Sequence, residues 1–144
     1  MAEAWQKEVG YDHLVAFHSY DAENKPIYHT NVLMAVGTSV AVVCSDSVTD
    51  PKEKSMLLSH LRKHHEVVEI SHEQMNKFCG NVLEVVTKEC DPCLVMSTQA
   101  YDAFTEDQRA VLRANMKGGL HHAPIDTLEK IGGGGVRCTI AEIF

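Results

Sequence analysis

One order of elements, strand, strand, helix and strand, is predicted twice along this chain and begins a third time, and this repetition constrains the fold most strongly. The first unit is predicted from Val- and Ile-rich runs and a helical Leu stripe, at 27–36, 39–44, 50–61 and 66–70. The second follows in the same order, at 80–86, 94–97, 105–117 and 120–124, and a third opens with a strand at 136–144. A period of about 50–55 residues is typical of propellers and solenoids. We therefore expect an α/β fold in which equivalent strands surround a common axis.

Local signals predict where the helices begin. Asp50 is expected to cap the first helix, with Pro51 in its first position and Glu53 completing a capping box. Further capped helix starts are predicted at 71–74, 105–108 and 126–129.

Three polar or reactive side chains occupy matching places in the predicted units. His29 lies near the start of the first strand of unit one, and Asn81 near the same point of unit two. Cys138 lies near the start of the strand that opens unit three. If the units surround an axis, all three side chains reach one central pocket.

Cys138 and His29 together suit covalent catalysis. A cysteine thiolate is a strong nucleophile, and a histidine beside it can act as general acid and base. The glycines at 132–135 permit close backbone approach beside Cys138, and they do not form a phosphate-binding loop because no Lys-Ser/Thr pair follows. Taken alone, each residue has a plainer interpretation, an inert buried thiol or a histidine satisfied in the core.

Composition predicts a single domain over residues 1–144 that binds neither nucleic acid nor membrane. The 13 Lys and Arg against 20 Asp and Glu give a formal charge of −7, without a basic stripe. Apolar runs fall short of the roughly 18 residues that span a bilayer, and residues 1–8 lack the apolar segment of a signal peptide. The five cysteines are therefore expected to be reduced thiols in the cytoplasm.

Two further motifs raise the question of a metal, although neither a metal nor a cofactor is predicted. Cys90 and Cys93 have CxxC spacing, but no second pair accompanies them. A histidine cluster comprises His60, His64, His65 and His72. Its first two members are four residues apart, a spacing that can bind zinc, but the Glu of a His-Glu-x-x-His motif is missing. A loop and a solvated helix face are the favoured interpretations, and a metal-binding domain is the third hypothesis.

Three segments, at 27–34, 78–85 and 133–144, resemble the guanidino-group-modifying enzymes called penteins. The likeness is greatest to the amidinotransferase branch related to citrulline hydrolase, the citrulline-utilisation hydrolase family. Arginine deiminases and dimethylargininases are more distant. The resemblance begins near Trp5 and matches the C-terminal half of a full-length member. It implies a partial α/β-propeller of about two and a half strand–strand–helix–strand repeats out of the five that close the ring.

The resemblance also implies roles for four residues. Cys138 is the nucleophile that attacks a guanidinium or ureido carbon, and His29 is the general acid and base. Asn81 and Asn31 are expected to contact the substrate, a small arginine- or citrulline-like molecule. The implied activity is hydrolysis or amidino transfer without a cofactor.

The chain departs from the family pattern where the charge of the substrate is neutralised. Penteins bind the cationic group with carboxylates from units that precede the histidine. Only 28 residues precede His29, and Asp12, Asp21 and Glu23 among them do not lie one repeat earlier. Asn31 stands where arginine deiminases carry an Asp. We therefore expect a homo-oligomer, or pairing with a chain that supplies the missing repeats. The alternative is a truncated, catalytically inactive half-ring that acts as an association module.

Overall fold

The computed structural model describes residues 2–141, in which eight α-helices and six strands are present. The helices are α1 (Ala2–Val9), α2 (Thr30–Leu33), α3 (Pro51–Leu61), α4 (His72–Asn76), α5 (Thr98–Ala103), α6 (Glu106–Asn115), α7 (Asp126–Gly132) and α8 (Val136–Thr139). The strands are β1 (Met34–Val36), β2 (Val40–Val43), β3 (Glu66–Glu69), β4 (Leu83–Val86), β5 (Pro92–Ser97) and β6 (Leu120–Ala123). Within this range no helix combines the length and the apolar character needed to cross a bilayer.

Two three-stranded sheets with the same topology form the framework. In one sheet β1 is antiparallel to β2 and β2 is parallel to β3; β4, β5 and β6 repeat this arrangement in the other. Each parallel pair needs a crossover, which includes α3 in the first unit and α6 in the second. The predicted order of strand, strand, helix and strand therefore occurs twice in a mixed α/β fold. The described residues form no closed barrel.

The core is built around the middle strand of the first sheet. All four residues of β2 are buried, as expected for a strand that is covered on both faces. Leu57 and Leu61 of α3 are buried in the same cluster, which confirms two members of the predicted Leu stripe; Leu58 is only partly buried. Leu112 of α6 is fully buried there too. The two units thus share one hydrophobic core.

Two predicted helix starts are confirmed, and they also bind each other. Ser71 and Gln74 form a capping box at α4, and Thr105 and Gln108 form another at α6. The Nε2 of Gln74 donates to Oε1 of Gln108 at 2.6 Å, and the Nε2 of Gln108 donates to the Glu69 carbonyl at 2.8 Å. The residues that begin these helices therefore also join the two units.

Two other predicted caps are wrong in part. Asp50 accepts from the backbone N–H groups of Lys52 and Glu53, as predicted. The Glu53 carboxylate, however, accepts from the backbone and ring of His18 and does not complete a capping box. Helix α7 begins at Asp126 without a side-chain cap, because Ile125 holds the cap position.

Two predicted strands begin later than expected, and a third begins as a helical turn. Residues before Met34 form the single helical turn α2, in which Val32 N–H bonds to the His29 carbonyl at 3.0 Å. The strand predicted at 80–86 begins only at Leu83. The strand predicted at 136–144 is helix α8 over its first four residues, and residues 142–144 lie outside the described part. In such short β-branched runs, periodicity does not separate a strand from one helical turn.

Replacing Gln108 with Ala should lower the free energy of unfolding by about 1–3 kcal/mol, because it removes hydrogen bonds to Gln74 and Glu69. Urea denaturation followed by circular dichroism measures the change. Lys88→Ala, at an exposed loop position, is the control. Since the two glutamines share a bond, the Gln74→Ala/Gln108→Ala double variant should lose less than the sum of the single losses. Strict additivity would show that the glutamine pair does not couple the units.

Candidate functional site

The glycine-rich segment after α7 brings the chain close to the second unit. Gly133 ends α7 in a left-handed conformation, with φ of 69°. Gly135 is buried, and a Cβ atom there would lie 2.8 Å from Oδ1 of Asn81 and 3.1 Å from Cβ of Phe78. Only a residue without a side chain allows this approach. The approach sets the position of α8 and therefore of Cys138.

Two asparagine amides surround the sulfur of Cys138. The Nδ2 of Asn81 donates to Sγ at 3.1 Å, and the Nδ2 of Asn31 donates to it at 3.6 Å. Cys138 itself is exposed. N–H groups that donate to an accessible sulfur can stabilise the negative charge of a thiolate at that position.

Asn81 is the anchor of this arrangement. Its side chain is 3% exposed, and its Nδ2 also donates to the Asn31 carbonyl at 2.9 Å. Its Oδ1 accepts from the backbone N–H of Cys138 at 3.4 Å. A single buried amide therefore contacts α2 and α8, the two segments on which Asn31 and Cys138 lie.

His29 lies next to this cluster along the chain. It is the extended residue that precedes α2, two positions before Asn31, and it is exposed. Within residues 2–141 its imidazole makes no hydrogen bond or ion pair, so its role is not defined by contacts. The structure brings Asn31, Asn81 and Cys138 together and leaves the His29 ring open to solvent on the adjoining segment.

A cavity of about 220 Å³ adjoins the sulfur. Its lining residues are Val32, Met75, Asn76, Phe78, Asn81, Gly133, Gly134 and Cys138. None of these carries a charge, so this lining provides no carboxylate for a cationic substrate. The cavity is nevertheless bordered by the sulfur and by the Asn81 amide, which places the reactive group at its wall.

The other thiols differ from Cys138 in exposure. Burial raises the pKa of Cys79 to about 12, and burial together with the nearby Glu84 raises the pKa of Cys93. Cys44 is also buried. Because their pKa values are raised, the thiols of Cys79 and Cys93 stay neutral and unreactive at neutral pH. Cys138 and Cys90 are the exposed cysteines of the described chain.

The metal hypothesis gains no support from the described residues. Among residues 2–141 no group of three His, Cys, Asp or Glu side chains is arranged to hold a metal ion. Three members of the histidine cluster, His60, His64 and His65, instead border a separate cleft with Arg137. Sequence reasoning did not single out Arg137, although its position directly before the candidate nucleophile was a usable signal.

Comparison with known proteins identifies one family. A family model described as N,N dimethylarginine dimethylhydrolase, eukaryotic, matches residues 1–144. Curated proteins compared with the chain give no match. The family modifies guanidino groups and belongs to the pentein superfamily, which confirms the predicted superfamily. The finer assignment to the amidinotransferase and citrulline branch stays a prediction.

Substituting Gly135 by Ala should destabilise the protein by about 1–3 kcal/mol, because the new Cβ overlaps the fixed amide of Asn81. It should also slow alkylation of Cys138 by iodoacetamide, since α8 must shift. Gly132→Ala is the matched control, because a Cβ there meets no atom within 4 Å. Urea unfolding and mass spectrometry of the alkylated peptide measure the two effects. Equal behaviour of the two variants would contradict the close approach.

Proposed function

Because the chain belongs to the N,N-dimethylarginine dimethylhydrolase family, we propose that it carries the nucleophile and the acid–base residue of a guanidino-group hydrolase. The substrate is a small arginine-like guanidino or citrulline-like ureido molecule, and amidino transfer is the related alternative. The observation that carries the proposal is the pair of amide N–H groups, from Asn31 and Asn81, that donate to the Cys138 sulfur.

In the proposed reaction the Cys138 thiolate attacks the guanidinium carbon and forms a carbon–sulfur bond. The carbon–nitrogen bond to the leaving amine then breaks as His29 gives that nitrogen a proton. His29 next takes a proton from water, and the hydroxide adds to the same carbon. The carbon–sulfur bond breaks, the thiolate returns, and the product is a ureido compound. The net reaction consumes one water and releases one amine.

The two asparagines act on the sulfur as well as on the substrate. Their N–H groups favour negative charge on sulfur both before attack and when it departs. Because Asn81 also borders the cavity beside the sulfur, the guanidino group would sit against the same amide. Asn31 stands two residues from His29, so one short segment would carry both a sulfur contact and the proton shuttle.

The proposed architecture is one domain, residues 1–144, that forms about two and a half of the five units of a propeller ring. It corresponds to the C-terminal half of a pentein ring. The carboxylates that neutralise a cationic substrate would come from units outside these residues, in a second copy or in a partner chain. Five free thiols suit a reducing compartment, and we place the protein in the cytoplasm.

A second candidate function is an inactive association module. Two observations favour it: the imidazole of His29 has no hydrogen-bond partner in residues 2–141, and no carboxylate lines the cavity beside the sulfur. In this case the nucleophile position would be retained without turnover.

Chloroacetamidine, a cationic electrophile, should alkylate Cys138 faster than neutral chloroacetamide does. The ratio of these two rates should be higher at Cys138 than at Cys90. Peptide mass spectrometry of the two sites measures both ratios. Cys138→Ala should abolish labelling at this site, whereas Cys90→Gly, which suits the positive φ at that position, should leave Cys138 labelling unchanged. In a complex that hydrolyses dimethylarginine, His29→Gln should lower the rate by about 100- to 10,000-fold. Equal ratios at Cys138 and Cys90 would favour the inactive module.

Light scattering at micromolar concentration should give a mass above that of one 16.0 kDa chain, because the proposed site needs carboxylates from another unit. Dilution should reduce both the mass and the chloroacetamidine preference of Cys138 together. A monodisperse monomer that retains the preference would show that no partner is needed.

A further inference from the structure

A second cleft, which we call the imidazole cleft, borders the segments that carry Asn31 and Cys138. Its volume is about 460 Å³, within the range of small-molecule sites. Its polar lining residues are His13, Thr30, His60, His64, His65 and Arg137, and the rest of the lining is apolar. Four histidines and one arginine occur in this set, and no carboxylate does. The absence of carboxylates from this lining contrasts with the whole chain, in which acidic residues outnumber basic ones and the formal charge is −7.

Arg137 provides a permanent charge in the imidazole cleft. A guanidinium is always protonated and carries five N–H donors. Within residues 2–141 its side chain makes no hydrogen bond or ion pair. Glu84 borders a separate cavity of about 60 Å³ with Arg137, but its carboxylate oxygens accept from Thr38 N and Oγ1 at 2.9 and 2.6 Å. The guanidinium therefore has unused donors facing an open cleft.

The histidines add donors and hold the shape of the imidazole cleft. His65 points both ring nitrogens at carbonyl oxygens, Nδ1 at Leu61 at 3.2 Å and Nε2 at Gly37 at 3.1 Å. These two contacts fix the orientation of the His65 ring at the wall of the cleft. The rings of His13 and His60 meet edge to face, with centroids 6.2 Å apart.

The remaining wall is apolar and indicates what kind of anion would fit. Phe17, Met34 and Leu57 supply hydrophobic surface in the same cleft. Inorganic ions gain nothing from such a wall, whereas a carboxylate attached to an apolar body uses both surfaces. A metal ion is disfavoured, since no three suitable ligands converge among the described residues.

The imidazole cleft and the nucleophile share two chain segments. Thr30 borders the cleft, and the next residue, Asn31, donates to the Cys138 sulfur. Arg137 borders the cleft, and the next residue is Cys138 itself. Any shift of Arg137 or Thr30 on binding therefore acts directly on the next residue of the chain, which is Cys138 or Asn31 respectively.

We propose that the imidazole cleft binds a small organic carboxylate through Arg137 and its histidines, and that occupancy changes the reactivity of Cys138. This site is separate from the cavity beside the sulfur, and it does not depend on guanidino hydrolysis. The ligand would act as an effector: an anion with an apolar body, bound at the residue that precedes the nucleophile.

Titration with benzoate, followed by two-dimensional NMR of the isotope-labelled chain, tests the binding. Benzoate should shift the amide signals of Arg137, Thr30 and His64 saturably, whereas benzamide, its neutral isostere, and inorganic phosphate should bind at least about tenfold more weakly. Arg137→Gln should weaken benzoate binding by about tenfold or more, whereas Arg62→Gln, outside the cleft, should not. Equal binding of benzoate and benzamide, or an unchanged affinity in Arg137→Gln, would overturn the proposal.

Iodoacetamide alkylation of Cys138 provides the second readout. Saturating benzoate should change its rate by at least about twofold, and Arg137→Gln should abolish this response while Cys90 alkylation stays constant. If Arg137→Gln does not fold, His64→Gln at an exposed position serves in its place. Saturable binding with no change in the alkylation rate would refute the coupling to the nucleophile. Because neither assay uses a guanidino substrate, a failure here is distinct from a failure of the proposed hydrolase function.

Discussion

The buried amide of Asn81 is the interaction on which the candidate site depends. A buried amide must satisfy its hydrogen bonds within the protein, and its neighbours fix its orientation. Nδ2 faces the Asn31 carbonyl, which can only accept, and Oδ1 faces the Cys138 backbone N–H, which can only donate. The N–H groups are therefore directed at the sulfur as well. In the flipped orientation, Oδ1 would face the Asn31 carbonyl oxygen and Nδ2 would face the Cys138 backbone N–H. The backbone around Asn81 therefore fixes Nδ2 as the donor to the sulfur.

Glycine permits a close approach at two successive junctions, to a backbone carbonyl at the first and to a side-chain amide at the second. A Cβ at Gly80 would lie 2.5 Å from the Val32 carbonyl oxygen, and one at Gly135 would lie 2.8 Å from Oδ1 of Asn81. In each case the glycine that precedes a new unit packs against the turn that opens the unit before it. This recurrence gives the repeat a structural cause, because each unit is positioned by its predecessor. It is compatible with successive units around an axis, as in the proposed propeller.

The sequence predicted the repeat better than it predicted local structure. Of His29, Asn81 and Cys138, which were expected to reach one pocket, Asn81 and Cys138 are in contact, whereas the His29 ring makes no hydrogen bond within residues 2–141. Strand pairs, buried leucines and caps with Ser or Thr followed by Gln have strong local signals, and they were confirmed at β1–β2, α3, α4 and α6. The short turns α2 and α8 were missed because four residues are too few for a helical period. Helix α5 was missed although Ser97 caps it. The imidazole cleft could not be predicted, because it needs loop residue His13 against α3.

The distribution of charge explains why the described residues can stabilise a thiolate but cannot neutralise a cationic substrate. Neutral amide donors stabilise a thiolate, but they give little attraction to a guanidinium, which has only donors of its own. The cavity beside the sulfur has no carboxylate in its lining, and neither has the imidazole cleft, whose lining includes Arg137 and four histidines. The described residues around Cys138 therefore offer donors for negative charge and no carboxylate for a cation. In the proposed function, affinity for a cationic substrate would arise from carboxylates contributed by another unit, and their approach to Cys138 would complete the site.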